Sequence, residues 1–180
     1  MENTLVRTGK QTVSFGLRFC LYSAAGAGLL YLSPANKLLE PLLEVLATLV
    51  GGLLQSAGMP VMVLGQKVVL PGVFGIDIVT ECSGIPQMVL FLSVVLAYPT
   101  SNASRLFGAI IAASAVFLGN LLRLFTLFWV GVHARDYFDL AHSYIWGVFS
   151  YSGLVLLWIL WLFFSAIPSR PFKNDPLTDT

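Results

Sequence analysis

The stretch LFGAIIAASAVFLGNLLRLFTLFWVGV (residues 106–132) carries one charged side chain, Arg123, in an otherwise apolar run. A helix needs roughly 20 apolar residues to cross the hydrocarbon core of a bilayer, so this stretch reads as a membrane span. The rest of the chain agrees. Of its 180 residues, 57% are hydrophobic and 11% charged, and mean hydropathy is +0.82. A soluble domain carries about 25% charged residues, so the shortfall points to lipid as the solvent. A net charge of +1 offers no basic excess for nucleic acid. Two cysteines, Cys20 and Cys82, do not make a disulfide framework.

Working outward, three further segments approach the length of a span. Residues 15–32 form the first, residues 85–98 a short second closed by Pro99, and residues 144–167 the last, closed by Pro168. The basic start (Arg7, Lys10) mimics a signal peptide, but the apolar run continues past Ala27 and reads as a retained anchor. Residues 38–57 are apolar but carry Glu40, Pro41 and Glu44 at one end and Gly51, Gly52 and Gly58 at the other. A helix at the membrane interface is expected there. Between Pro60 and Thr80 the pattern turns to strand. Residues 61–64 and 67–70 flank Gly65-Gln66, where a leading glycine fits a type II′ hairpin. After Pro71-Gly72, residues 75–80 alternate as a third strand. Lipid does not tolerate an open sheet edge, so the meander is expected outside the hydrocarbon.

The fold class expected is therefore an all-α polytopic membrane protein with about four transmembrane helices. One interfacial helix and a small extracytoplasmic β-meander complete it. Residues 1–14 form a cytoplasmic N-terminus, 15–167 a single membrane domain and 168–180 a cytoplasmic tail. This arrangement puts Arg7, Lys10, Arg18, Arg105, Arg170 and Lys173 on one side, the cytoplasmic side by the positive-inside rule. Cys82, at the start of the second span, and His142, before the fourth, then fall on the other side. Arg123 lies roughly 13 Å below the outer end of its helix at about 1.5 Å per residue. A short second span also recesses Cys82, so three reactive groups from distant sequence are expected to converge just below the outer surface.

Each has a chemical and a bland reading. Cys82 lies in Glu81-Cys82-Ser83-Gly84-Ile85-Pro86, with Ser83 placed to cap a helix and Pro86 in its first turn. A thiol beside a helix N-terminus is favoured as thiolate, and otherwise is a small hydrophobe. Cys20, mid-run, reads as packing. Arg123 follows Asn120 by nearly one turn, so the two share a face. Arginine at this depth is costly and usually functional; the alternatives are snorkelling or a structural pair with Glu81. His142 is a candidate acid or base, or simply an interfacial histidine in an aromatic belt. His133, at the end of the third span, is its rival. His133, Asp136, Asp139 and His142 crowd one loop, but no His-Glu-x-x-His pair or second cysteine at ligand spacing accompanies them. Neither a metal nor another cofactor is expected.

At Glu81-Cys82-Ser83-Gly84-Ile85, Asn120-Leu121-Leu122-Arg123, and His142 followed by aromatics and Gly147, the chain resembles the exosortase/archaeosortase family of membrane cysteine transpeptidases. Its small size resembles the short forms such as exosortase H. The resemblance implies Cys82 as nucleophile, Arg123 as electrostatic partner and His142 as acid/base, with Glu81, Ser83 and Asn120 supporting. It implies secreted protein substrates ending in a motif, a membrane helix and a basic tail, and a multi-pass location in the bacterial plasma membrane. Two other functions compete. One is a small transporter or substrate-binding subunit that holds an anionic ligand with Arg123 and Asn120. The other is an assembly factor whose polar residues glue helices together.

Overall fold

The computed structural model describes residues 2–31 and 35–166. The expected end of the last span at Ile167 and the basic tail with Arg170 and Lys173 lie outside the described residues. The elements run α1 (Glu2–Tyr31), α2 (Ala35–Ser56), β1 (Met62–Leu64), β2 (Lys67–Leu70), β3 (Phe74–Asp77), α3 (Ile85–Ala97), α4 (Asn102–His133) and α5 (Trp146–Ala166). A 3-10 turn, Thr80–Cys82, leads into α3. A second 3-10 turn, Arg135–Tyr137, and a π-helical turn, Leu140–Ile145, lead into α5. The chain is an all-α polytopic membrane protein with one small sheet.

The apolar run around Arg123 becomes α4, 32 residues long, or roughly 48 Å at 1.5 Å per residue. Ser101 caps it, its hydroxyl accepting from the Ser104 N–H at 3.2 Å. At this end α4 is tied to α5. The Trp161 indole donates to the Ser104 carbonyl at 3.0 Å, and the Ser104 and Ser165 hydroxyls meet at 2.6 Å. The Trp161 ring occupies the space that a side chain at Gly108 would fill. Phe91, Val95, Ala112, Leu154 and Trp161 form the core that joins α3, α4 and α5. Helix α1 packs along α3, and Val89 sits where a side chain at Gly26 would go. Cys20, expected to pack, is exposed on α1.

A second core lies at the other end, where α2 and the C-terminal part of α4 meet the sheet. It contains Leu43, Leu46, Ala47, Val50 and Leu54 of α2, Val68 of β2, and Leu124 and Phe128 of α4. The sheet is an antiparallel meander in the order β1-β2-β3. Val63 pairs with Val68, and Val68 with Ile76. At the first turn the left-handed φ falls on Gly65 (59°) and not on Gln66, as a type II′ hairpin requires. The third strand is shorter than expected. It ends at Asp77; the Ile78 N–H still donates to the Gln66 carbonyl at 3.0 Å, in register with the ladder, and the chain then leaves the sheet for the 3-10 turn that Thr80 opens.

Among the described residues, four helical stretches are long and apolar enough to cross a membrane: Thr12–Tyr31, Leu39–Ser56, Asn102–His133 and Arg135–Ser165. Their number is as expected, but one member differs. The expected second crossing, α3, has only 13 residues, about 20 Å at 1.5 Å per residue against a hydrocarbon core of about 30 Å. Leu39–Ser56, expected at the interface, has the length of a span. Its surface is divided three ways. Leu43, Leu46, Ala47, Val50 and Leu54 are buried; Leu42, Val45, Leu49 and Leu53 are exposed and apolar; Glu40, Glu44, Thr48 and Gln55 form an exposed polar edge. A polar edge along most of the helix suits one lying in the interface, with one side toward lipid and one toward water.

The shortness of α3 creates the site. Gly84, at its start, lies against Val116 and Asn120, in the middle of α4. Helix α4 continues from Asn120 to His133, so the turn carrying Cys82 is recessed well below the end of α4. Helix α2 packs against this turn, in which Ser83 and Gly84 are buried while Val79 and Glu81 stay exposed.

Candidate active site

Cys82 ends the 3-10 turn and is held by its backbone, its N–H donating to the Val79 carbonyl at 2.9 Å. Ser83 does not cap α3 as expected. The N-cap is Gly84 with φ +82°, and Pro86 lies in the first turn. A side chain at Gly84 would meet Asn120 and Val116 at 3.2 Å, so left-handed backbone and close approach both demand glycine. Ser83 bridges instead. Its hydroxyl donates to the Thr80 carbonyl at 2.6 Å and accepts from the Ile85 N–H at 3.1 Å, fixing the turn that aims the thiol.

His142 arrives from the π-helical turn, where the Trp146 N–H reaches back to the Ala141 carbonyl. A π turn inserts a residue into a helix and rotates the side chains around it, and such turns recur at functional sites. The Phe138 ring stacks on the imidazole with centroids 5.7 Å apart and planes at 11°. This brings His142 Nε2 to 3.5 Å from Cys82 Sγ, within the range of a hydrogen bond to sulfur. The rival, His133, is engaged elsewhere. It stacks on Trp129, and its Nδ1 lies 3.0 Å from the Trp129 carbonyl of its own helix.

Arg123 is 8% exposed, and its Nε is buried without a hydrogen-bond partner. Its charge acts on both Cys82 and His142. The alternative of a structural pair with Glu81 is not seen: among the described residues the ion pair present is Lys67–Asp77 at 3.4 Å, and Glu81 is exposed. A buried cation without a carboxylate is expensive and suited to an anion that forms transiently beside it. Asn120, 5% exposed, has its Nδ2 buried and unpaired on the same helix. A cavity of about 250 Å³ opens on the thiol and imidazole, bounded by Leu124, Leu127, Phe138 and residues 74–77 of β3.

Burial pushes the Cys82 thiol above its usual pKa; Arg123 pulls it back and Glu81 pushes it further up. Burial thus works against the helix-activated thiolate that the sequence suggests. The thiol is three residues ahead of the helix start, and desolvation dominates its titration. A raised pKa means a protonated sulfur at neutral pH, so Cys82 alkylation by iodoacetamide is expected to climb with pH beyond the range of an ordinary thiol. Glu81→Gln removes the nearby negative charge and should move the midpoint down. Arg123→Gln should move it up. Mass-spectrometric alkylation rates from pH 6 to 10 check both directions.

Reading the residues one by one reached Cys82, Arg123, Asn120 and His142. It passed over Phe138 and the backbone of β3, which bound the cavity at the thiol, and Gln87, which lines a neighbouring cavity between α3, α4 and α5. Gln87 had a signal, an amide in the apolar run Ile85–Ala97. Phe138 was legible only as one aromatic among several near a membrane boundary.

The fold and site together define a class: a polytopic helical membrane protein with a recessed thiol–imidazole contact and a buried arginine whose Nε has no partner among the described residues. A family model described as transmembrane exosortase (EpsH) matches residues 7–165, and the chain belongs to that family. No curated protein and no solved structure matches it.

Proposed function

We propose that the protein is a membrane-embedded cysteine peptidase or transpeptidase. Its substrates are secreted proteins with a C-terminal motif, a membrane helix and a basic end. The observation that carries this reading is the 3.5 Å approach of Cys82 Sγ to His142 Nε2, with the buried Arg123, whose Nε has no partner among the described residues, acting on both. Membership of the transmembrane exosortase family supports it.

In this reading His142 Nε2 takes the Cys82 proton, and the thiolate attacks the carbonyl carbon of the scissile peptide. A C–S bond forms and the carbonyl oxygen becomes an oxyanion, which Arg123 stabilises in a site of low dielectric. Collapse breaks the C–N bond, and the leaving amine takes its proton from His142. The resulting thioester is resolved by water in a peptidase, or by an amine or a lipid nucleophile in a transpeptidase. Breaking the C–S bond returns the proton to sulfur through His142. The site faces away from the cytoplasm of a bacterial plasma membrane, on the side that secreted substrates reach.

The test is a secreted reporter carrying such a tail, co-expressed with the enzyme and followed by intact mass. A thioester adduct on Cys82, released by hydroxylamine, is expected. Its absence, with tail removal continuing in Cys82→Ala, sinks the proposal. Arg123→Gln is expected to lower kcat by about 10²–10³, the cost typical of removing one oxyanion donor. Arg123→Lys keeps the charge but loses the planar fork, and should recover part of that loss. A substrate-binding or transport role would instead tolerate Cys82→Ala.

A further inference from the structure

A second cavity of about 250 Å³ lies between α3, α4 and α5, and its lining includes Gly84, Gln87, Asn120, Trp146 and Gly153. It adjoins the thiol through Gly84, two residues on from Cys82, and Arg123 through Asn120, three residues back. A side chain at Gly119 or Gly153 would meet nothing within 4 Å, so the cavity is a groove open sideways to the lipid-facing surface.

Two of the residues that line this apolar groove each carry a buried polar atom with no partner among the described residues. Asn120 Nδ2 is a donor on a side chain more than nine-tenths buried, and Gln87 Oε1 is an acceptor. Unpaired buried polar atoms cost free energy unless a ligand satisfies them. One donor and one acceptor against apolar walls complement a peptide unit. An acyl chain offers neither partner, and a lipid ester would accept from Asn120 but leave Gln87 unsatisfied.

Peptide chemistry supplies the reason for such a pair. Inside a helix the carbonyl of each residue is engaged by an N–H four residues on. A chain cut at Cys82 must therefore leave helical geometry next to the scissile bond. At membrane depth no water satisfies the backbone groups this frees.

We infer that the groove holds the unwound stretch of substrate on the membrane side of the scissile bond. Asn120 Nδ2 donates to a substrate carbonyl, and Gln87 Oε1 accepts a substrate N–H. This rests on the peptidase reading and adds to it where the chain lies and which side chains hold it.

The test uses the full chain in membranes, with the tailed secreted reporter and the Cys82→Ala background to retain uncleaved substrate. A p-benzoylphenylalanine placed at Gly153 should cross-link to the tail of the reporter, and one at Leu118, on another face of α4, should not. Capture of lipid alone, or equal capture from both positions, overturns the inference. Separately, Gln87→Met keeps the size but removes the acceptor. With Cys82 present it should raise KM about tenfold, while kcat and the Cys82 alkylation rate stay near wild type. An unchanged KM, or a KM change that comes with altered alkylation, also overturns it. The two readings fail separately: tail removal that persists in Cys82→Ala defeats the peptidase, whereas blocked removal with no capture at position 153 defeats only the groove.

Discussion

Cys82→Ala is expected to stop tail removal, with a loss on the order of 10⁴-fold or more, because covalent catalysis fails outright without its nucleophile. Cys82→Ser should do almost as badly. A serine hydroxyl is far less acidic than a thiol, and the C–O bond is shorter than C–S, so an oxygen would stand farther from His142 than the 3.5 Å that sulfur achieves. Folding should survive both changes. Cys82 is only partly buried and packs at the edge of the core formed by α2, the sheet and α4. The measurement is the fraction of reporter that has lost its tail, read by mass, beside thermal unfolding in detergent. Cleavage at wild-type rate by both variants would reject sulfur as the nucleophile. Loss of cleavage with a lowered unfolding temperature would instead mark Cys82 as structural.

Much of this arrangement was legible in the chain. Residues 106–132 announce a span by length and apolarity, and Arg123 is conspicuous because nothing else in that run is charged. The hairpin at Gly65-Gln66 follows from a glycine where only a positive φ will do. The depth of Cys82 follows from the brevity of the apolar run after it. What stayed hidden depends on contacts between distant residues. Ser83 has the chemistry of a helix cap, but Gly84 takes that place, with a left-handed φ and α4 packed close against it. Helix α2 has the composition of a span, and its polar edge appears only once the sheet shows which side is buried. The inward turn of His142 depends on a π turn, for which Leu140–Ile145 carries no distinctive composition. Gln87 reads as a stray amide until Asn120, from another helix, is found lining the same groove.

His142→Ala is expected to lower kcat by about 10²–10⁴, the range usual for a positioned acid–base group, and the deficit should depend on pH. Desolvation holds the Cys82 thiol protonated at neutral pH, so an enzyme without the imidazole must wait for the rare thiolate. Thiolate abundance rises tenfold per pH unit below the thiol pKa. The rate of the variant should therefore climb steeply between pH 7 and 9, where wild type, with its own base 3.5 Å away, climbs less. The leaving amine also needs a proton, and alkaline solvent does not supply it, so rescue should stop short of the wild-type rate. His133→Ala should leave both rate and pH profile close to wild type, since that ring is engaged with Trp129 on its own helix. Rate profiles for the three proteins across this pH range decide the matter. Parallel curves for wild type and His142→Ala would remove the imidazole from proton transfer and leave Arg123 to lower the thiol pKa unaided.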